Sequence, residues 1–267
     1  VSQLAELGVK EITLLGQNVN AYRGGLHEGG HADLALLLEY IAEIPGIQRL
    51  RYTTSHPNEF SERLIAAYAR VPKLVSHLHL PVQSGSDKIL AAMKRGYTAL
   101  EYKSKVRKLR AIRPDMAISS DFIIGFPGET EAQFQNTVDL LAELKLDKVH
   151  LARYSPRPQT VSERTMEDDV PDEEKRRRFA LIDDMQAEIL AGINAQQLGA
   201  TTQVLVEEMH KGKWRGRDPR NRLVFFEDSA DWTGKLAHVI ITRSGPWSLS
   251  GHLEGQQPKP QFEPIML

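Results

Sequence analysis

Cysteine is absent from all 267 residues. That excludes a disulfide framework, and it excludes a thiolate set for a metal or an iron–sulfur cluster drawn from this chain alone. No apolar run approaches the length of a bilayer span, and no segment joins a charged start to an apolar middle as a secretion signal does. A cytoplasmic protein without a membrane partner is therefore expected. An excess of either charge is missing too: 34 Lys and Arg face 35 Asp and Glu, a formal net charge of -1, so any signal for nucleic acid has to be local. The Gly-x-Ser-x-Gly elbow, His-Glu-x-x-His and the P-loop lysine do not occur, which argues against hydrolytic chemistry. What is present is a chain with 41% apolar and 26% charged residues, long enough for one large domain or two smaller ones with a substantial core.

The organising stretch runs from Ala117 to Thr130. An apolar run rich in Ile and Phe breaks at Gly125-Phe126-Pro127-Gly128 and restarts as a helix behind Glu129, the pattern of a buried strand, a tight turn and a helix N-terminus. Glycines in such a turn let backbone approach a flat or anionic ligand, and the first helical amides are free to bind it. The same grammar recurs along the chain. Strands are expected at Glu11–Leu15, Arg49–Thr54, Leu74–Leu80, Ala117–Ile124 and Lys148–Tyr154, each followed by a turn and, for the first four, a helix. Their ends carry Gly16-Gln17-Asn18, Ser55-His56, Gln83-Ser84-Gly85-Ser86, Gly125 to Glu129, and Ser155 to Arg157. Strands alternating with helices predict parallel pairing in a barrel-like array, with these five clusters on one rim. The chain opens inside a helix that has no N-cap signal, so an upstream part is expected.

Beyond Thr160 the composition changes. Residues 161–171 read as a linker, and Asp172 opens a long helix to about Leu198 whose Phe179, Ile182, Ile189 and Ile193 form one apolar stripe. Its basic run, Lys175 to Arg178, reads as mostly solvated. From residue 199 to 255 short strands at 202–208, 223–226, 237–242 and 248–253 alternate with turns, as in a small antiparallel barrel, and Pro258, Pro260 and Pro264 mark a tail over 256–267. Between His210 and Arg222 lie Lys211, Lys213, Arg215, Arg217, Arg220 and Arg222 against Asp218 alone, with Trp214 among them. Basic side chains neutralise phosphates and an exposed indole stacks on an unpaired base, so an RNA contact is expected here. The alternative is an ordinary charged loop with Trp214 buried. His77 and His79 alternate with leucines and point to one face of a strand as core or rim histidines; His56, beside Pro57, is the better pocket candidate.

Composition and spacing stop at a parallel barrel with a polar pocket and an RNA-binding appendage. Five segments go further: Leu14 to Tyr22, Tyr52 to Pro57, His79 to Ser86, Ser120 to Thr130 and Tyr154 to Pro158. In this order they resemble the radical S-adenosylmethionine methylthiotransferases, most closely the group acting on isopentenyladenosine beside the anticodon of tRNA. Gly216 to Phe226 resembles the small TRAM barrel that ends those enzymes. The resemblance implies a partial parallel (β/α)6 barrel, strands two to six being present over 1–160, then a docking helix over 161–198 and a TRAM-like barrel over 199–255. It implies S-adenosylmethionine as cofactor, with Gln17, Asn18, Ser55, His56, Gln83, Ser84, Asp121, Ile123, Gly125 and Phe126 around it and Arg157 on the substrate side. Lys211, Lys213, Trp214, Arg215, Arg217, Arg220 and Arg222 would touch RNA. Two 4Fe–4S clusters and a flavodoxin- or ferredoxin-type electron donor belong to such enzymes. The three-cysteine loop that holds the radical-generating cluster would lie just upstream of Val1, so this chain is expected to be an inactive, monomeric fragment that binds neither cluster. Related enzymes modify threonylcarbamoyladenosine or a ribosomal-protein aspartate, and a non-catalytic RNA-binding module is the remaining alternative.

Overall fold

The computed structural model describes residues 1–26, 29–53 and 55–256, so the tail expected beyond Gln256 lies outside the described residues. Two compact units emerge, Val1–Ile189 and Leu190–Leu267.

In the first unit, helix α1 (Ser2–Glu6) precedes strand β1 (Glu11–Leu14), and a short hairpin, β2 (Arg23–Gly25) with β3 (His31–Asp33), follows. The hairpin occupies the turn expected between the first strand and its helix. Then come α2 (Leu34–Ala42), β4 (Arg49–Tyr52), α3 (Glu62–Arg70), β5 (His77–His79), α4 (Asp87–Ala92), α5 (Ala99–Ile112), β6 (Ala117–Ile124), α6 (Glu131–Leu144), β7 (Lys148–Arg153), α7 (Val161–Thr165) and α8 (Asp172–Ala195). Local chemistry sets the helix starts. Asp33 accepts from the Leu36 amide at 2.9 Å, and Thr98 and Thr130 each close a reciprocal capping box, with Glu101 and Gln133.

All pairings among β1, β4, β5, β6 and β7 are parallel. β1 pairs with β4, β5 with β6 and β6 with β7, and a bridge between Leu50 and Leu74 joins the two sheets. The expected strand Leu74–Leu80 is thus one segment serving both neighbours, its regular part reduced to three residues. Leu38, Leu50, Leu78, Ile118, Phe122 and Leu141 are fully buried between strands and helices. The five carboxyl ends point the same way, as parallel strands with helical crossovers require.

Helix α8 corrects one expectation. Lys175 and Arg178 are 2% and 4% exposed and share the buried face of α8 with Ile182, so the basic run is not a solvated patch. The inward stripe of the helix continues N-terminally past its apolar residues, and carboxylates waiting there make the burial of cations tolerable.

The second unit holds β8 (Thr201–His210), β9 (Lys213–Arg217), β10 (Leu223–Phe226), β11 (Leu236–Ser244) and β12 (Leu249–Leu253), closed in the order β10-β12-β11-β8-β9. Strand β9 lies between two expected strands, in a stretch where only a turn is expected, and it contains Gly216. The glycine serves close packing instead: a Cβ there would lie 2.1 Å from the Leu205 carbonyl oxygen of the neighbouring strand. Val204, Val224, Phe226, Val239 and Ile241 fill the interior.

Candidate active site

At the carboxyl ends of β6 and β7 opens a cavity of about 780 Å³, within the range of small-molecule and cofactor sites. Gln83 from the β5–α4 loop, Ile123 and Phe126 from β6 and its turn, and Tyr154, Ser155 and Arg157 after β7 line it. Three of the five strand-end clusters therefore share one cavity. The other two are joined to each other: Asn20 Nδ2 donates to the His56 carbonyl at 2.9 Å, and the His56 amide donates to Asn20 Oδ1 at 2.9 Å. Beside that clasp, Asn18 Oδ1 and Ser55 Oγ are buried with no hydrogen-bond partner. Buried polar atoms are nearly always satisfied, so two orphans at adjacent strand ends mark a place where a ligand or water completes the bonding. Gln17 is exposed on the same loop.

The β5–α4 loop is held rigidly. Val82 donates its amide to Ser120 Oγ, and the Tyr97 and Tyr102 hydroxyls donate to the carbonyls of Val82 and Leu80 at 2.9 and 2.8 Å. Gln83 sits at φ +78°, in the left-handed region, locked by its amide on the Asp121 carbonyl and by its own carbonyl on the Ile123 amide. A non-glycine residue held in that region is an expense that surrounding structure has to sustain, and such residues cluster at functional sites. Ser84 is placed differently from expectation. It is fully buried behind the rim, where its hydroxyl meets Thr137 and accepts from the Ser86 amide at 3.1 Å, so it braces the loop and does not reach the cavity.

The turn after β6 also departs from the sequence reading. Its amides are not offered to an anion: Gly125 donates to Glu129 Oε2 at 2.8 Å, Gly128 to Asp169 Oδ1 at 2.7 Å and Thr130 to Gln133 Oε1 at 2.9 Å. The chain's own carboxylates and amide oxygen consume the donors that the helix start would otherwise present. Glu129 is 3% exposed, and Arg178 donates to its carbonyl at 2.9 Å and its carboxylate at 3.0 Å. Burial nevertheless pushes the Glu129 carboxyl above its usual range, against the bonds from Gly125 and Arg178. Lys175 Nζ holds Asp168 at 2.5 and 2.7 Å and lies 5.5 Å from the centre of the Tyr154 ring. Tyr154 meets Phe126 edge-on at 5.2 Å, so α8 buttresses the aromatic wall of the cavity.

Below Ile123 and Ala152 on the same strand face stand Asp121 and His150, direct partners in the β6–β7 register. His79 joins them, its Nε2 3.5 Å from Asp121 Oδ1 and its Nδ1 3.0 Å from Ser119 Oγ, which in turn is 3.2 Å from His77 Nε2. His77 and His79 do point to one face, as their alternation predicts. The ligand atoms of His79, Asp121 and His150 lie within 4.8 Å of one another, a spacing that suits one divalent ion as well as it suits hydrogen bonding.

His56 has a structural task. Its Nδ1 accepts from the Asn58 amide at 3.3 Å and its ring meets Tyr97 edge-on at 5.6 Å. Burial, then the Arg95 guanidinium, hold its pKa below the ordinary 6.5. The unfolded chain therefore binds a proton that the folded one refuses, and stability should fall on acidification through and below that value. Urea midpoints measured at about pH 7.5 and about pH 5.5 should drop, and His56→Gln should remove part of the drop; an unchanged slope in the variant would assign it elsewhere.

In the second unit the expected RNA face is rearranged. Trp214 is 6% exposed, inside the barrel core, with Nε1 donating to the Asp228 carbonyl at 3.2 Å, so it cannot stack on a base. Alternation along β9 explains the correction: Trp214 and Gly216 face inward, while Lys213, Arg215 and Arg217 face out. Acrylamide should hardly quench Trp214 in a chain whose Trp232 and Trp247 are replaced by Phe; free quenching would contradict its burial. Arg222 is likewise structural, with Nη2 2.5 Å from the fully buried Asp218, which also accepts from the amides of Arg220 and Arg222. Lys213 pairs with Glu227, Arg215 with Glu208 and Arg217 with Glu207, partners that lie on adjoining elements and are invisible in the local sequence. Lys211 is exposed at the β8–β9 turn.

Residues 1–141 match the radical SAM superfamily model and residues 195–253 the TRAM domain model. The chain is 53% identical over 254 residues to the tRNA-2-methylthio-N(6)-dimethylallyladenosine synthase of Chromobacterium violaceum, covering 94% of this chain and 57% of the relative. It is 53% identical over 257 residues to the enzyme of the same name from Delftia acidovorans, covering 95% and 58%. The chain thus spans under two thirds of the curated relatives it matches. Among solved structures, the radical SAM enzyme coproporphyrinogen III oxidase from Escherichia coli aligns with a TM-score of 0.43 at 12% identity, over 79% of this chain and 67% of its own.

Proposed function

This chain belongs to the radical SAM superfamily and carries a TRAM domain, and we propose that it is the cofactor-cavity and RNA-binding part of a tRNA methylthiotransferase. Its substrate in this reading is N6-dimethylallyladenosine beside the anticodon, which receives a methylthio group at C2. The observation that carries the proposal is the convergence of Gln83, Ile123, Phe126 and Arg157 on one cavity at the carboxyl rim of a parallel barrel, in a chain half identical to enzymes of that name.

The residues present fit S-adenosylmethionine. Phe126 and Tyr154 give an aromatic wall and Ile123 an apolar surface, and outside the cavity lining, at the ends of β1 and β4, the orphaned Asn18 and Ser55 oxygens are acceptors for an ammonium or a ribose hydroxyl. When bound and reductively cleaved, that cofactor supplies a 5′-deoxyadenosyl radical. The protein's part is to hold and orient it: the locked Gln83 loop and the Lys175-braced wall keep the cavity's shape. The residues do not fit either iron–sulfur cluster, because no cysteine is available to ligate one. The cluster ligands and the docking of an electron donor are assigned to the rest of the polypeptide, and the assembly is proposed to work in the cytoplasm as a monomer.

Expressed from its whole reading frame in a strain unable to methylthiolate tRNA, the protein should restore 2-methylthio-N6-dimethylallyladenosine, read by mass spectrometry of tRNA nucleosides. Accumulation of unmodified N6-dimethylallyladenosine would overturn the proposal, and a methylthiolated threonylcarbamoyladenosine would redirect it.

A further inference from the structure

The cavity mouth carries, besides Arg157, three cations to which the proposed chemistry gives no role. Lys94 and Arg95 from the end of α4, Arg153 from the end of β7 and Arg157 from the following loop all line it, and no Asp or Glu does. None of the four is paired with a carboxylate among the described residues; Arg95 alone has a polar partner, the Tyr97 hydroxyl at 3.2 Å. Several outward-facing cations elsewhere on this chain do have carboxylate partners. On β9, Lys213, Arg215 and Arg217 each have a glutamate, and on α8 Arg177 has both Glu131 and Glu174. Leaving four like charges uncompensated around one opening is unfavourable unless an anion enters it. Lys94 adds a second sign: it holds φ +55°, a conformation that disfavours side chains, at a helix end where glycine would be the relaxed choice. With Gln83 it is one of two non-glycine residues in the left-handed region that line this cavity.

S-adenosylmethionine is a net cation at neutral pH, and its single carboxylate can offset at most one of the four. We infer that Lys94, Arg95, Arg153 and Arg157 form a phosphate-binding collar that grips the backbone of single-stranded RNA on either side of the base inserted into the cavity. Sequence-independent charge around the cavity mouth is what is needed to present one splayed nucleotide, because phosphate contacts set register while the cavity reads the base. The collar rests on the reading of the substrate as RNA, and it moves the main electrostatic contact from the TRAM barrel to the barrel mouth. The paired cations of β9 would have to exchange a carboxylate for a phosphate and so gain less.

The test is the salt dependence of binding between the 267-residue chain and a labelled anticodon stem-loop RNA. Each phosphate contact on a single strand contributes about 0.7 to the slope of log K against log salt, so the triple variant Lys94→Gln, Arg153→Gln, Arg157→Gln should flatten that slope by about 2. Arg95 is left in place because it supports Tyr97. The double variant Arg215→Gln, Arg217→Gln should change the slope by less than about 1. All five side chains are solvent-accessible, and unchanged melting curves would confirm intact folds. A triple variant with the wild-type slope, or a double variant that alone abolishes it, would overturn the collar while leaving the methylthiolation proposal standing. Failure to restore the modified nucleoside in cells would sink that proposal and leave a measured loss of slope untouched.

Discussion

Gly85→Ala should lower the thermal midpoint of the barrel unit by roughly 6–12 °C, corresponding to about 3 kcal/mol at the upper end of overpacking costs. A Cβ at this position would lie 2.2 Å from the Asn136 carbonyl oxygen and 2.7 Å from the Thr137 Cα, both backbone atoms of α6, which cannot swing aside as a side chain would. The alanine would have to push the β5–α4 loop off the helix, breaking the bond from the Gly85 amide to Thr137 Oγ1. Gln83, two residues earlier, would move with it. Reduced cofactor binding is therefore expected even below the melting temperature, by isothermal titration of S-adenosylmethionine. A variant with native stability would show that α6 yields and that the loop is not pinned.

Glu129→Ala should destabilise the same unit by about 3 kcal/mol, the lower end for breaking a buried ion pair. The carboxylate is the acceptor for the Gly125 amide and for Arg178, and truncation leaves both donors facing a void. Glu131 and Glu174 still reach Arg178, at 3.3 and 2.6 Å, and this keeps the loss below the upper end of that range. Because burial raises the Glu129 pKa, the folded state holds its proton to higher pH than the unfolded state. That contribution to stability is complete below the ordinary carboxylate pKa and is lost as pH rises through the folded value. The wild type should therefore show a declining stability component across that mildly acidic window, and the alanine variant should lack it. An alanine variant within about 0.5 kcal/mol of wild type, the scatter of ordinary surface changes, would mean that Glu129 is not the keystone of this turn.

The misreadings share a physical origin. Trp214 looked like a stacking platform because its neighbours in sequence are basic, yet a strand sends adjacent residues to opposite faces, and the closed barrel claimed its indole for the core. The cations of β9 looked unopposed because Glu207, Glu208 and Glu227 lie on partner elements, where only the antiparallel register brings them near. Lys175 and Arg178 looked solvated because a helical stripe of charge usually is; Asp168 and Glu129, in contact with them in the fold though 7 and 49 positions away in sequence, explain their burial. Lys94, Arg95 and Arg153 drew no notice, since isolated cations after a helix or at a strand end are ordinary until a cavity gathers them.

The order of the five parallel strands and the helices between them was determined by the sequence alone, because apolar periodicity and the Gly or Pro punctuation at each strand end act over a few residues, where chain connectivity does the selecting. So was the absence of any cluster-ligating thiolate, a matter of composition. Which side chains face the cavity, which cations keep an unbalanced charge and which polar atoms go unsatisfied were decided only in the tertiary structure. Those properties depend on what stands across a gap of a few ångströms, and residues that meet there, such as Ser84 and Thr137 or Glu129 and Arg178, are separated by 53 and 49 positions along the chain.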